Sequence, residues 1–398
     1  MSVDPVDREL PEDLGKRRIG RWWVSIPSLR AYTMVFALVG IWIYFQWMTV
    51  SDIYPYGLFL HPFNLANLLK QMSVVGVLAV GMLMVIVARQ IDLSVGSLLG
   101  LAGGLAAMAQ GWGVVPALLT AVVVGVVAGA LQGSLAAYLS VPAFIVTLGG
   151  LLTWRGVILY VSKGETIPVR LPFFRSLGVA LLAPAAGWVL AAVAIAGVVF
   201  FTLRRNRARR RHALPVSGAV VTALRIVVPS VLIVVFVYLM NWQGGIPIPV
   251  IVLLAVAGAG AFLTQNTTFG RYLYAIGSNP EAARLSGINS KRYILATFAL
   301  LGGLVGIASI LHTARVGSAS PDAGGLMELD AIAACVIGGT SLMGGRGKVS
   351  GALLGALVMA SLDNGMSLLS VENATQYIIK GAVLVAAVAF DMAGRRIG

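Results

Sequence analysis

From Leu93 to Trp154 the sequence contains no Asp, Glu, Lys or Arg. A bilayer core takes about 20 apolar residues per helical crossing, so this run alone is long enough for roughly three. Ile226 to Gly270 is uncharged as well, and its middle, NWQGGIPIP, reads as a turn between two spans. In lipid every backbone N–H and C=O must be satisfied within the protein, which leaves helices or closed barrels. These runs are long, continuous and rich in Leu, Ala and Val, whereas a barrel is written in short alternating strands. The chain is therefore read as an all-α, polytopic helical membrane protein. Composition agrees, with 58% of the 398 residues hydrophobic, 11% charged and a mean hydropathy of +0.90.

The apolar runs predict about 12 (10–12) transmembrane helices. They fall at 31–50, 70–88, 93–110, 114–139, 143–162, 177–203, 217–240, 246–264, 293–313, 328–345, 348–370 and 374–391. Residues 1–30 form a mixed-charge leader without a small-residue cleavage site, so the first span is expected to stay in the membrane. The net charge of +14 is concentrated in GKRRIGR (15–21), RRNRARRRH (204–212), Arg271, Arg284, Lys291 and Arg292 within 271–292, and GRR (394–396). Basic residues in short loops fix the orientation of helical membrane proteins. With both termini cytoplasmic, twelve crossings place all four clusters on the cytoplasmic side, and this pattern argues against nucleic acid as a partner. One transmembrane domain, 31–391, is expected, with a cytoplasmic arginine-rich loop at 204–225, a second cytoplasmic segment at 271–292 and a tail at 392–398.

Glycines recur at four-residue spacing, at Gly96, Gly100 and Gly104; Gly125, Gly129 and Gly133; Gly302 and Gly306; Gly351 and Gly355. Such ridges let helices approach closely in lipid. The ionisable residues near membrane depth are Arg155, Asp92, Glu328, Asp330, Asp363, Glu372, Lys380 and Asp391, most of them close to predicted span ends. Arg155 is mid-span, which calls for a carboxylate, helix carbonyls or an aqueous cavity beside it; a structural ion pair and a contact with a permeating solute are both open. Asp363 and Asn364 can hydrogen-bond a hydroxylated solute or cap a helix end.

No enzymatic constellation emerges. The three histidines, His61, His212 and His312, are far apart and lack Cys or Glu at ligand spacing, so no metal and no cofactor are expected. GGTSLMGGRGKVS (338–350) resembles a phosphate loop, but Leu342 stands where the first glycine belongs and Val349 follows the lysine. It reads as a tight turn carrying Arg346 and Lys348. The single cysteine, Cys335, lies in an apolar run and is read as a helix-contact residue.

The polar segment Tyr274–Ser290 interrupts this apolar chain. Ser278 or Asn279 can cap a short helix, Pro280 suits its first position, Glu281 its first turn, and Gly287 lies past its end. A helix this short must dock on something. Its apolar face, Ala282, Ala283 and Leu285, is small for the lipid surface, so a protein partner is expected.

YAIGSNPEAARLSGI (274–288) resembles the cytoplasmic coupling motif of permease subunits of bacterial ABC importers for monosaccharides. ARQIDLSVGSLLGL (88–101), VPAFIVTLGGLLTWRG (141–156) and the block 328–366, from ELDAIAACVIGG to MASLDNGM, resemble the same family in the same order, covering the chain from about residue 64 onward. The added length between the fifth and eighth predicted spans, together with LDAIAACVIGGTSL and MASLDNGMS, is most similar to the D-xylose branch. A closely similar branch serves glucose, galactose and arabinose. The resemblance implies a homodimeric permease without its own nucleotide site, a separate cytoplasmic ATPase subunit, a periplasmic sugar-binding protein and an inner-membrane location. It implies ATPase coupling through Gly277, Ser278, Asn279, Pro280, Glu281, Ala282, Ala283, Arg284 and Gly287. A neutral sugar asks for weak hydrogen bonding along its path, and Arg155, Asp92, Thr147, Ser361, Asp363, Asn364 and Gln376 are the candidates. An ion-driven secondary carrier is the competing class, but it calls for a titrating buried acid and for broken helices or repeats, and no duplication of halves is visible in the sequence. A membrane-embedded enzyme would need a nucleophile and base, or a metal set.

Overall fold

The computed structural model describes residues 29–212 and 218–396, with side chains over 34–212 and 218–389. The basic leader at 15–21, residues 213–217 of the arginine-rich loop, and the side chains of Asp391 and 394–396 lie outside the described residues. In chain order the first helices are α1 (Leu29–Met48), α2 (Pro62–Val87), α3 (Val95–Ala109), α4 (Val114–Tyr138) and α5 (Ala143–Ser162). Next come α6 (Pro172–Val179), α7 (Pro184–Arg211), α8 (Ala219–Trp242) and α9 (Ile248–Asn266). The last are α10 (Thr268–Ser278), α11 (Pro280–Leu285), α12 (Ser290–Val316), α13 (Met327–Ile337), α14 (Val349–Leu368) and α15 (Asn373–Arg396). Two short antiparallel pairs, β1 (Ile167–Pro168) with β4 (Ser318–Ala319) and β2 (Leu181–Leu182) with β3 (Ile246–Pro247), tie loops together at one end of the bundle. We call that the far end; α10, α11 and the 338–348 turn form the near end.

Among the described residues eight helices, α2, α4, α5, α7, α8, α9, α12 and α14, are long and apolar enough to cross a membrane. Two further helices match expected spans: 31–50 corresponds to α1, of 20 residues, and 374–391 to α15, of 24 residues. Spans 93–110 and 328–345 are not full crossings: they contain the short α3 and α13, each preceded by non-helical chain, at 88–94 and 317–326. The span expected at 177–203 starts later, because Pro172 and Pro184 each open a separate helix, α6 and α7. The span expected from 70 begins at Pro62, where His61 caps α2.

The loop expected at 204–225 is also corrected. Arg204 to Arg211 continue α7 as helix, and α8 begins at Ala219. Arginine is a good helix former, so the run has no reason to unwind where the apolar stretch ends.

Helices α2 and α12 form the centre and run antiparallel: α2 ends at the near end and α12 at the far end. Each half repeats one plan, a central helix, a non-helical segment, a short helix and two further helices. Short α3 packs on α4, α5 and the other half's α12; short α13 packs on α14, α15 and the other half's α2. This is an inverted duplication, which the sequence does not display because it is kept in topology and contact pattern rather than in residue identity. The glycine ridges explain the closeness of the contacts. A Cβ on Gly125 would strike the Gly302 carbonyl and one on Gly302 the Gly125 carbonyl, so α4 and α12 touch backbone to backbone. Helices α7 and α8 pack on one another and expose most of their surface.

Candidate functional site

The two short helices begin inside the bundle and their starts meet. A Cβ on Gly96 would collide with the Glu328 carboxylate and the Gly324 carbonyl, and one on Gly324 with the Gly96 carbonyl. On the α3 side, Asp92 Oδ1 accepts from the Ser94 N–H and hydroxyl, each at 2.7 Å, and Gln132 Nε2 of α4 donates to Ser94 Oγ at 2.9 Å. Thr147 Oγ1 of α5 donates to the Ile91 carbonyl at 3.3 Å, holding the non-helical segment against α5. On the α13 side, Gly324 and Leu326 adopt positive φ, turning the chain into α13 with Glu328 and Asp330 in its first turn. Asp92, Glu328 and Asp330 are all buried. They sit at helix starts within the bundle rather than at solvated span ends, a correction to their sequence reading; there the helix dipole favours a carboxylate.

Arg155 of α5 reaches across to this junction. Its Nη1 lies 2.6 Å from Asp322 Oδ1, with the Arg155 side chain 26% exposed and that of Asp322 86%. Gly325, Leu326 and Leu329 are exposed beside the pair, so an ion pair sits on an open face halfway along the bundle. A second charged group lies on the α13 side: Lys380 Nζ of α15 is 3.1 Å from Asp330 Oδ2 and 2.9 Å from Asp363 Oδ1 of α14. A cavity of about 60 Å³ beside it is lined by Leu326, Leu329, Asp330 and Lys380.

The remaining candidates for a solute path lie apart from this face. Ser361 is buried and accepts from Trp42 Nε1 at 2.9 Å, joining α14 to α1. Asn364 exchanges two hydrogen bonds with Asn64 of α2, at 2.7 and 3.0 Å. Gln376 Nε2 donates to the Val371 carbonyl at 2.8 Å, securing the entry to α15. Asp92 and Thr147 belong to the junction but are buried within it.

At the near end the short helix forms as its local chemistry demands. Asn279 rather than Ser278 caps it: its Oδ1 accepts from the N–H groups of Glu281 and Ala282 at 3.1 and 3.0 Å. Pro280 is the first helical residue, and Gly287 turns the chain away at φ +80°. Ala283 faces inward and is buried, while Glu281, Ala282, Arg284 and Leu285 face outward, Leu285 with 77% of its surface exposed. The apolar face is thus divided rather than continuous. Behind α11, Gly277 abuts the Val87 carbonyl and the Gly345 N–H, so no side chain fits there. The Tyr274 hydroxyl donates to the Gly347 carbonyl at 2.7 Å, and burial pushes that phenol up, keeping it a donor. The segment is therefore fastened to the end of α2 and to the 338–348 turn, on which Arg346 and Lys348 are exposed as expected.

Sequence reasoning missed Asp322 and Gln132, and left Glu328, Asp330 and Lys380 outside its site. IDLSVG and SPDAGGLMELD carry Gly and acid in corresponding positions of the two halves, a cue too weak by hydropathy alone to mark a broken helix.

The sequence model of a family described as "Branched-chain amino acid transport system / permease component" matches residues 64–388. The chain is 42% identical over 374 residues to the xylose transport system permease protein XylH of Escherichia coli K12, covering 93% of each. It is likewise 42% identical over 372 residues to that of Haemophilus influenzae, covering 93% of this chain and 98% of the other. Against the ribose import permease protein RbsC of Escherichia coli K12 the identity is 37% over 330 residues, covering 82% and 85%. No solved structure matches.

Proposed function

The chain belongs to the branched-chain amino acid transport system / permease component family, and from that premise we propose that it is the permease subunit of an ATP-driven bacterial sugar importer, moving D-xylose. The family description mentions amino acids, but the relatives at 42% identity are named for xylose and those at 37% for ribose, which favours a pentose. A permease of the same type for glucose, galactose or arabinose is the second reading. The observation that carries the proposal is α11, a capped helix that exposes Glu281, Arg284 and Leu285 and transmits through Gly277 and Tyr274 to the bundle.

In this reading residues 31–391 act as one permease domain in the inner membrane with both termini cytoplasmic. A separate ATPase subunit docks on α11 at the near end, and a periplasmic sugar-binding protein docks at the far end. The coupling segment is Gly277, Ser278, Asn279, Pro280, Glu281, Ala282, Ala283, Arg284 and Gly287; the exposure of Leu285 supports including it among the residues that meet the ATPase. The Arg155–Asp322 pair cannot face lipid cheaply. A second copy of the chain therefore covers that face, and the sugar passes between the copies. ATP-driven movement of α11 is delivered through the 338–348 turn to the ends of α2 and α14, and from there to the junction of α3 and α13. Arg155, Asp322 and Lys380 border the path, while Thr147, Ser361 and Asn364 hold its walls.

Because the Arg155–Asp322 pair is part-exposed, its contribution to stability is about 1 kcal/mol or less. Arg155→Ala is therefore expected to insert normally yet lower xylose uptake about tenfold. Combining Arg155→Asp with Asp322→Arg recovers most of that loss; unchanged uptake in both variants would remove the pair from the path.

The reading is tested by uptake of labelled xylose in cells expressing the chain with its ATPase and binding protein, before and after a protonophore, with ATP maintained. Uptake that survives and needs both partners is expected. Because broken helices and inverted halves are present, the fold no longer separates an importer from a gradient-driven carrier. Uptake that collapses with the gradient and ignores the partners would overturn the proposal.

A further inference from the structure

The geometry points to a binding site for the phosphate headgroup of an anionic phospholipid in the cleft between α7 and α8. This site is independent of the transport reading. The cleft has a volume of about 700 Å³, with Leu203, Ala223 and Ile226 on its apolar part and Asn206, Arg207 and Arg210 on its polar part. Its depth follows from helix length. Pro184 to Leu203 is 20 residues of α7, about 30 Å, which is the thickness of the hydrocarbon layer. The arginines start at Arg204 and continue to Arg211, in the next two turns, where headgroups lie. On α8, Ile226 begins the uncharged stretch that runs to Trp242 and on to Gly270, so the apolar part of the cleft meets acyl chains and the polar part meets phosphates.

The hairpin itself supplies no acidic side chain to face Arg207 and Arg210. Six arginines crowd residues 204–211, and between Glu165 and Glu281 the sequence has no Asp or Glu. Asn206 Nδ2 donates to Thr222 Oγ1 at 3.1 Å, joining the two helices within the arginine level. Arg207 and Arg210 lie three apart on one face of α7 and line the same cleft, and a guanidinium fork matches phosphate oxygens in pairs. Basic pockets between membrane helices at this depth are where anionic lipid headgroups bind. Such a lipid would clamp a hairpin that otherwise meets the bundle through few contacts.

The full chain, purified and returned to phosphatidylcholine bilayers with increasing phosphatidylglycerol, gives the test by native mass spectrometry of retained lipid. Arg207→Gln with Arg210→Gln should weaken phosphatidylglycerol retention about thirtyfold, the product of two surface cation–lipid attractions. Arg170→Gln with Arg175→Gln, exposed arginines near the far end, removes the same charge and should change retention less than about twofold. Inorganic phosphate, at an ionic strength matched with chloride, should not displace the lipid. Undiminished retention in the first variant, equal loss in the second, or displacement by phosphate alone would each overturn the assignment. Should the first variant fail to fold, a photoreactive phosphatidylglycerol on the wild-type chain decides: crosslinks within 203–226 are expected, and crosslinks only elsewhere refute the site.

Discussion

Leu285→Asp eliminates ATP-driven uptake without lowering the amount of inserted chain. Leu285 is 77% exposed at the tip of α11, so the folded chain gains little from it and its replacement changes stability by about 0.5 kcal/mol or less. A docked ATPase subunit would bury it. Burying a leucine side chain contributes about 1.5–3 kcal/mol, and an unpaired carboxylate in the same groove costs a further amount. Together these weaken association at least about a hundredfold. Co-purification of the ATPase subunit should be lost in parallel, while Glu281→Ala and Gly287→Val, which affect the outward charge and the turn behind it, reduce uptake with the helix still present. The competing account, in which Leu285 dips into lipid headgroups, leaves co-purification intact. Wild-type uptake by Leu285→Asp would remove α11 as the coupling element.

How much of this was legible in the sequence depends on the range over which each feature is determined. The α11 segment was readable almost residue by residue, because caps, a first-turn proline and a terminal glycine act within one another's reach. The helical membrane class was readable because apolar runs need no partner to be recognised. The broken helices were not. Nothing in IDLSVG lowers hydropathy enough to separate a non-helical segment from the helix that follows, so 93–110 and 328–345 read as full spans. What fixes those segments is distant: Thr147 on Ile91, Gln132 on Ser94, and Gly96 against Gly324. Arg155 was recognised as needing a counter-charge, but Asp322 is 167 positions away and lies in a stretch that reads as a loop. The inverted duplication is likewise a property of which helix touches which. Once one acid is seen at the start of α3 and two at the start of α13, the burial of Asp92, Glu328 and Asp330 is consistent with the dipole that faces them.

Lys380 is where the removal of one side chain is expected to be most damaging to the fold itself. Its ammonium lies 3.1 Å from Asp330 and 2.9 Å from Asp363, whose side chains are 8% and 24% exposed. One cation thus serves two carboxylates on two other helices, α13 and α14, and joins α15 to both. Removing one partner of a buried ion pair leaves uncompensated charge and costs about 3–5 kcal/mol. Lys380→Ala should therefore destabilise the purified chain by about that amount in thermal or denaturant unfolding in detergent. Replacing all three groups with neutral ones, Asp330→Asn, Asp363→Asn and Lys380→Met, removes the imbalance and should recover most of the loss, since an ion pair exchanged for neutral groups of similar volume is often neutral in stability. The two variants also separate structure from transport. The triple variant, restored in stability, still lacks the charges beside the Arg155–Asp322 face, so its uptake should remain well below wild type. Equal stability of Lys380→Ala and the wild-type chain would show that Asp330 and Asp363 do not depend on this cation. Full uptake by the stable triple variant would confine the cluster to holding α13, α14 and α15 together, with no share in the path.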